Sequence, residues 1–161
     1  MNEQNLNEII AKVVKEVGGA KAGAPRKMTL SLARALNQKV QEKAKSMNMR
    51  VVTAVVDAGG NPIAVESMDD AYIASYDIAL NKAFTSVSLK MSTKALVPLA
   101  APGGSLYGIQ FTNQGRIVIF GGGVPLRDGD AIIGGFGVSG GTAAEDTELG
   151  DYAQEVFETL L

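Results

Sequence analysis

The chain has 161 residues, 46% of them apolar and 20% charged, with 15 basic and 17 acidic side chains for a formal charge of −2. That is enough for one domain with a buried core, and the balance gives no electrostatic footprint for nucleic acid. Cysteine and histidine are both absent, which excludes disulfides, thiolate and imidazole metal sites and the Ser-His-Asp triad.

The first periodic segment is NLNEIIAKVVKEVGG. Leu6, Ile9, Ile10, Val13, Val14 and Val17 recur at helical spacing and form one apolar stripe. Asn5 is placed to cap this helix, with Glu8 in the capping-box position, and Gly18-Gly19 stop it. A helix this short is marginal alone in water and needs a surface on which to bury its stripe. Glu3, Glu8, Lys12 and Lys15 interrupt it, so it is not a secretory signal, and no run reaches the roughly 20 apolar residues of a membrane span. A cytoplasmic protein, with no membrane partner, is expected. The organisation read here is a targeting or interaction helix at 1–18, a flexible linker at 19–27 and a domain at 28–161.

Within the domain, Thr29 caps a helix over about 29–46 with Leu32, Ala33, Leu36, Val40 and Ala44 on one side. The β-branched run RVVTAVV predicts a buried strand, and DAGGNP is the turn that pairs it with residues 63–66. Asp69 or Asp70 caps a helix over about 71–90, where Tyr72, Tyr76, Ala79, Leu80, Ala83, Phe84 and Val87 form the expected buried face and Lys82 lies just off it. A helical turn follows from Ser92 to about Leu99, and residues 105–114 read as short helical or irregular chain. RIVIF at 116–120 predicts a strand ending in Gly121-Gly-Gly-Val-Pro125, and Asp128-Gly129 is the hairpin turn into a last strand at 131–138. Thr142 with Glu145 forms a capping box for the final helix, whose stripe is Leu149, Tyr152, Ala153, Val156, Phe157 and Leu160. Hairpins alternating with helices predict an α+β domain with an antiparallel sheet of about four to five strands flanked by helices.

Several motifs carry candidate chemistry. Gly135, Gly137 and Gly140 spell G-x-G-x-x-G, but the helix behind them runs to residue 160 with no second strand, so the dinucleotide fingerprint fails on context. Ser139-Gly140-Gly141 precedes a helix N-terminus that can hold an anion, or that Thr142 satisfies by itself. Lys82 reads as a Schiff-base or anion-pairing lysine, or as a plain helix-surface lysine. Asp57, Asp69 and Asp70 are either hard-cation ligands or turn and cap residues, and Met28, Met47, Met49 and Met68 are core filler.

Taken together, VVDAGG at 55–60, MDDA at 68–71, ALNKA at 79–83 with Thr85, GGGVP at 121–125 and IGGFGVSGG at 133–141 followed by Glu145-Asp146 resemble the GlcG/HbpS-like family. That family also supplies the C-terminal domain of PduO-type corrinoid adenosyltransferases. The resemblance covers about residues 28–160 and implies a small α+β domain, a homo-oligomer and a tetrapyrrole ligand, heme or corrinoid. It implies a pocket near Gly121, Gly122, Gly123 and Pro125 and near Ser139, Gly140 and Gly141, with Lys82 close by. Heme-binding relatives commonly ligate iron through histidine. Here a thioether, a carboxylate or no protein ligand remains.

The first helix lies outside that resemblance and is itself similar to the encapsulation peptides of bacterial microcompartment cargo, which dock a helical face on shell or core proteins. The alternative is an arm that packs on its own domain or on a sister subunit. The expected protein is therefore a small-molecule binder inside a microcompartment. An enzyme acting on a small carbonyl or acid through Lys82 and Asp57, and an oligomeric scaffold for other cargo, stand as alternatives.

Overall fold

The computed structural model describes residues 24–161, so the stripe read at 6–17 and most of the linker lie outside the described residues. In chain order the elements are α1 (Leu30–Ser46), β1 (Val52–Asp57), β2 (Pro62–Ser67), α2 (Ser75–Ser88), α3 (Thr93–Ala100), β3 (Gly123–Asp128), β4 (Ala131–Ser139) and α4 (Ala143–Leu160). Single 3-10 turns at Ile109–Phe111 and Asn113–Gly115 fill the region read as short helical or irregular. The four strands form one antiparallel sheet in the order β2-β1-β4-β3, giving the expected α+β class. Among the described residues, no helix is long and apolar enough to cross a membrane.

The pleat divides the sheet into two unequal faces. On one, Val55, Val124, Phe136 and Val138 meet Leu36 and Val40 of α1 and Leu149 and Phe157 of α4, all buried. Thr29 caps α1 through its hydroxyl, and Thr142 and Glu145 form the full capping box of α4. Both helices thus begin where their sequence places them, with their apolar stripes on the sheet.

The other face holds α2 on a floor of small residues. Register places Ala54 beside Gly137 and Gly137 beside Gly123, with Val56, Gly135 and Pro125 in the next row. A Cβ on Gly135 would lie 2.5 Å from the Ala83 carbonyl oxygen, and one on Gly123 would lie 2.6 Å from that of Lys82. A Cβ on Gly137 would overlap the Ala79 carbonyl and come within 2.6 Å of the Ala83 nitrogen. The helix backbone therefore rests on the strand backbone, a close approach that only glycine permits.

This contact corrects two expectations. Tyr76 is 48% exposed rather than buried, because the gap beneath α2 is filled by Ser75, Ala79, Ala83 and Ser86 with Lys82 among them, and Tyr72, 72% exposed, lies in the turns before the helix. The helix also starts at Ser75 after a run of turns, without a side-chain cap. Asp70 takes a left-handed φ of +65° in those turns instead of capping it.

The strand expected at 116–120 is absent as well. Its backbone is held by a side chain: the Thr85 hydroxyl accepts the Val118 N–H at 3.0 Å, while its own proton goes to the Asn81 carbonyl at 2.7 Å with the Arg116 carbonyl 3.2 Å away. The true edge strand is β3, which begins inside the glycine run. Pro125 is tolerated there because an edge strand has one unpaired side, and Pro62 opens the opposite edge.

Gly137→Ala should destabilise the domain by about 1–3 kcal/mol, the usual range for overpacking. Glu155→Ala, on the exposed side of α4, should stay within about 0.5 kcal/mol. Urea denaturation of the two variants checks this, and equal midpoints would show that the helix is not held at contact distance.

Candidate functional site

Lys82 lies on the sheet-facing side of α2, flanked by Ala79 and Ala83, and is completely buried. An ammonium at such a position needs partners, because burying a lone charge is prohibitive. Its Nζ donates to Asp146 Oδ2 at 2.6 Å and to the Val138 carbonyl at 2.9 Å, and lies 4.8 Å from the centroid of the Phe120 ring. Asp146, in the first turn of α4, uses its other oxygen to accept the Gly141 N–H at 3.0 Å. The pair joins helices on opposite faces of the sheet.

The glycine run passes the lysine closely: Gly122 lies at its tip, Gly123 against its backbone carbonyl, and Gly121 against Thr147 of α4. Gly122 has a φ of +115°, and a Cβ there would stand 2.8 Å from Nζ. Gly123 donates its N–H to the Thr93 hydroxyl at 2.9 Å. Gly150 on α4 lets that helix lie against Gly122, since a Cβ there would be 3.2 Å from the Gly122 Cα. Burial pushes the Lys82 amine down from its ordinary value and the Asp146 carboxyl up, in each case against the attraction of the other charge. Desolvation thus outweighs pairing on both partners, the usual balance for a buried ion pair.

The residues nominated from sequence converge only in part. Lys82, Gly122 and Gly141 gather around Asp146, with Gly121 and Gly123 on either side of Gly122. Ser139 is buried beside them and shares a hydrogen bond of 3.1 Å with Ser75. Pro125 lies along β3 and borders a cleft of about 310 Å³ with Leu126 and Phe157. Only Gly140 and Gly141 reach the surface, half-buried and exposed. Thr142 satisfies the α4 terminus by itself, through its hydroxyl and the returning Glu145 carboxylate.

Asp57 serves its turn, accepting N–H groups from Gly59 at 2.8 Å and Asn61 at 2.9 Å. The Asn61 amide is the main reason its carboxyl sits below its ordinary range. Among the described residues no cluster of three acids could hold a metal ion.

Sequence reading missed the partnership of Asp146. The available signal was a lysine set among alanines on a helix face that must be buried, which calls for an acid elsewhere. It also missed Arg116, whose guanidinium stacks 3.5 Å from the centroid of Phe84 and is held by Asn81.

Residues 28–155 match the family model described as "Haem degrading protein HbpS-like". A 15.0 kDa protein encoded in the dhaT-dhaS intergenic region of Citrobacter freundii is 47% identical over 83% of this chain and 94% of its own length. The corrinoid adenosyltransferase PduO of the same organism is 32% identical over 94% of this chain, and the alignment spans 47% of that enzyme, about half its length. The solved heme complex of PduOC superposes with a TM-score of 0.77 at 33% identity, over 81% of this chain and 94% of that one.

Lys82→Met should cost about 3–5 kcal/mol, because it strands a buried carboxylate. The double variant Lys82→Met/Asp146→Leu should recover most of that loss. A double-mutant cycle by urea denaturation measures the coupling, and additive losses would refute it.

Proposed function

The chain belongs to the HbpS-like family, and from that membership we propose that it is a tetrapyrrole-binding protein carried as cargo of a bacterial microcompartment. The observation that carries the reading is the heme complex of a relative whose fold superposes with a TM-score of 0.77. Kinship with a corrinoid adenosyltransferase makes a corrinoid the second member of the same ligand class. The chain has no histidine or cysteine, so iron in the ligand meets a thioether, a carboxylate, a phenolate, an amine or no protein atom. Binding then depends on burying the macrocycle and pairing its polar arms, which are carboxylates on a heme and amides on a cobalamin.

Lys82 and the glycines beside it fix the position of α2 on the sheet and do not themselves line a cleft among the described residues. The lysine is sealed within its ion pair, so the ligand is met by surface groups. That sealing also weighs against an enzyme that forms a Schiff base at Lys82.

Absorbance titration of the full chain with hemin and with cobalamin tests the ligand class. A saturable spectral change with one of them is expected, and no change with either would sink the reading.

The addressing role falls to the stripe of Leu6, Ile9, Ile10, Val13, Val14 and Val17, whose spacing suits docking into an apolar groove on a shell or core protein. Deleting residues 1–18 should abolish co-purification with shells while leaving the domain folded. Unchanged loading of the deleted protein would remove the cargo assignment.

A further inference from the structure

Two clefts adjoin at the start of β4, at the opposite end of that strand from Ser139. The first, of about 390 Å³, is walled by Met28, Ile132 and Ile133. The second, of about 290 Å³, is lined by Val87 with Lys90 and Arg127. Ala58 and Ile132 line both, so the two meet across those side chains.

Charge at this surface runs against that of the whole chain. Arg26 and Lys27 line the first cleft and Lys90 and Arg127 the second, facing the carboxylates of Asp57 and Asp130. Four cations stand against two lining acids and against Asp128 at the rim, which accepts the Arg26 N–H at 2.9 Å, so the surface keeps a net positive balance on a chain whose formal charge is −2. Asp57 is already engaged by the amides of its own turn. Arg26 is partly engaged too, since its guanidinium donates to the Leu161 carbonyl. Lys27, Lys90 and Arg127 form no ion pair among the described residues. Arg127 is oriented by a 3.0 Å bond to the Asp130 carbonyl, and Lys90 follows the C-terminus of α2, whose dipole favours a cation there.

The geometry points to this double cleft as the binding site for a flat apolar molecule bearing at least two carboxylates. The apolar walls take the body, and the two cationic rims take the acids at separate points. A porphyrin with two acid side chains has this chemistry, and in that form the inference rests on the tetrapyrrole reading above. No step of the recognition needs iron. The metal-free porphyrin should therefore bind about as well as hemin.

The test uses the full chain, titrated with hemin and with protoporphyrin IX by absorbance and porphyrin fluorescence. Ala58→Trp fills the junction from an exposed turn position, and Lys90→Glu/Arg127→Glu reverses the charge on one rim. Each should weaken both ligands by about tenfold or more, and the charge variant should also lose much of the salt dependence of binding. Lys94→Glu, whose lysine pairs with Asp151 on another surface, should leave affinity unchanged. Wild-type binding that neither cleft variant alters overturns the cleft assignment and leaves the tetrapyrrole reading standing. Hemin binding without protoporphyrin binding overturns the metal-independent recognition, and absence of both overturns the cleft together with the heme form of the tetrapyrrole reading.

Discussion

Helix α2 rests on β4 and β3 with glycine beneath it, and much of the domain is arranged around that contact. Gly123, Gly135 and Gly137 bring helix and strand backbones to a separation at which one added methyl group overlaps a carbonyl or amide. A helix this close carries small side chains underneath, with Lys82 the long exception, so Ala79 and Ala83 are fixed and Tyr76 turns outward. Proximity also lets a lysine from mid-helix pass the edge of the sheet and reach α4 on the far side. With bulkier strands α2 would stand farther off, and Lys82 could not span the distance to Asp146.

The ion pair is poorly explained as a source of net stability, because burial shifts both partners towards neutrality against their mutual attraction. Its geometry suggests a role in position instead. Lys82 meets a carboxylate, a carbonyl and an aromatic face at once, and Asp146 holds the loop at Gly141. One arrangement of α2, α4 and the glycine run satisfies all these groups. A sliding or rotated helix would leave a buried charge unpaired, so the pair sets the register of a contact that small residues alone would leave slippery.

How much was legible in the sequence follows from the range of each force. Local signals held: Thr29 caps α1, Thr142 and Glu145 box α4, and the DAGGNP turn and Asp128-Gly129 close the two hairpins. Those are satisfied within a few residues. The face expected of α2 holds for Ala79, Leu80, Ala83, Phe84 and Val87 but not for Tyr72 and Tyr76, because large apolar residues ordinarily point inward and the glycine floor that excludes them lies some 50 residues later in the chain. RIVIF has the composition of a strand, but the Thr85 hydroxyl takes up its Val118 N–H. Lys82 and Asp146 stand 64 positions apart, and neither shows its partner. The glycine run at 121–123 could be marked as special from sequence, while its close passage between Lys82 and α4 needed three dimensions.

The two outer strands bear on life at high concentration. An unpaired strand edge is a template for another chain, and close crowding favours such growth. Here β2 opens with Pro62 and carries Glu66, while β3 carries Pro125 and ends in Arg127 and Asp128. Proline withholds a donor and charge resists burial, so neither edge offers a continuous row for a foreign strand. Copies of this chain held side by side would meet through helices and loops, with their sheets kept separate, and a dense store of the protein could form without seeding fibrils.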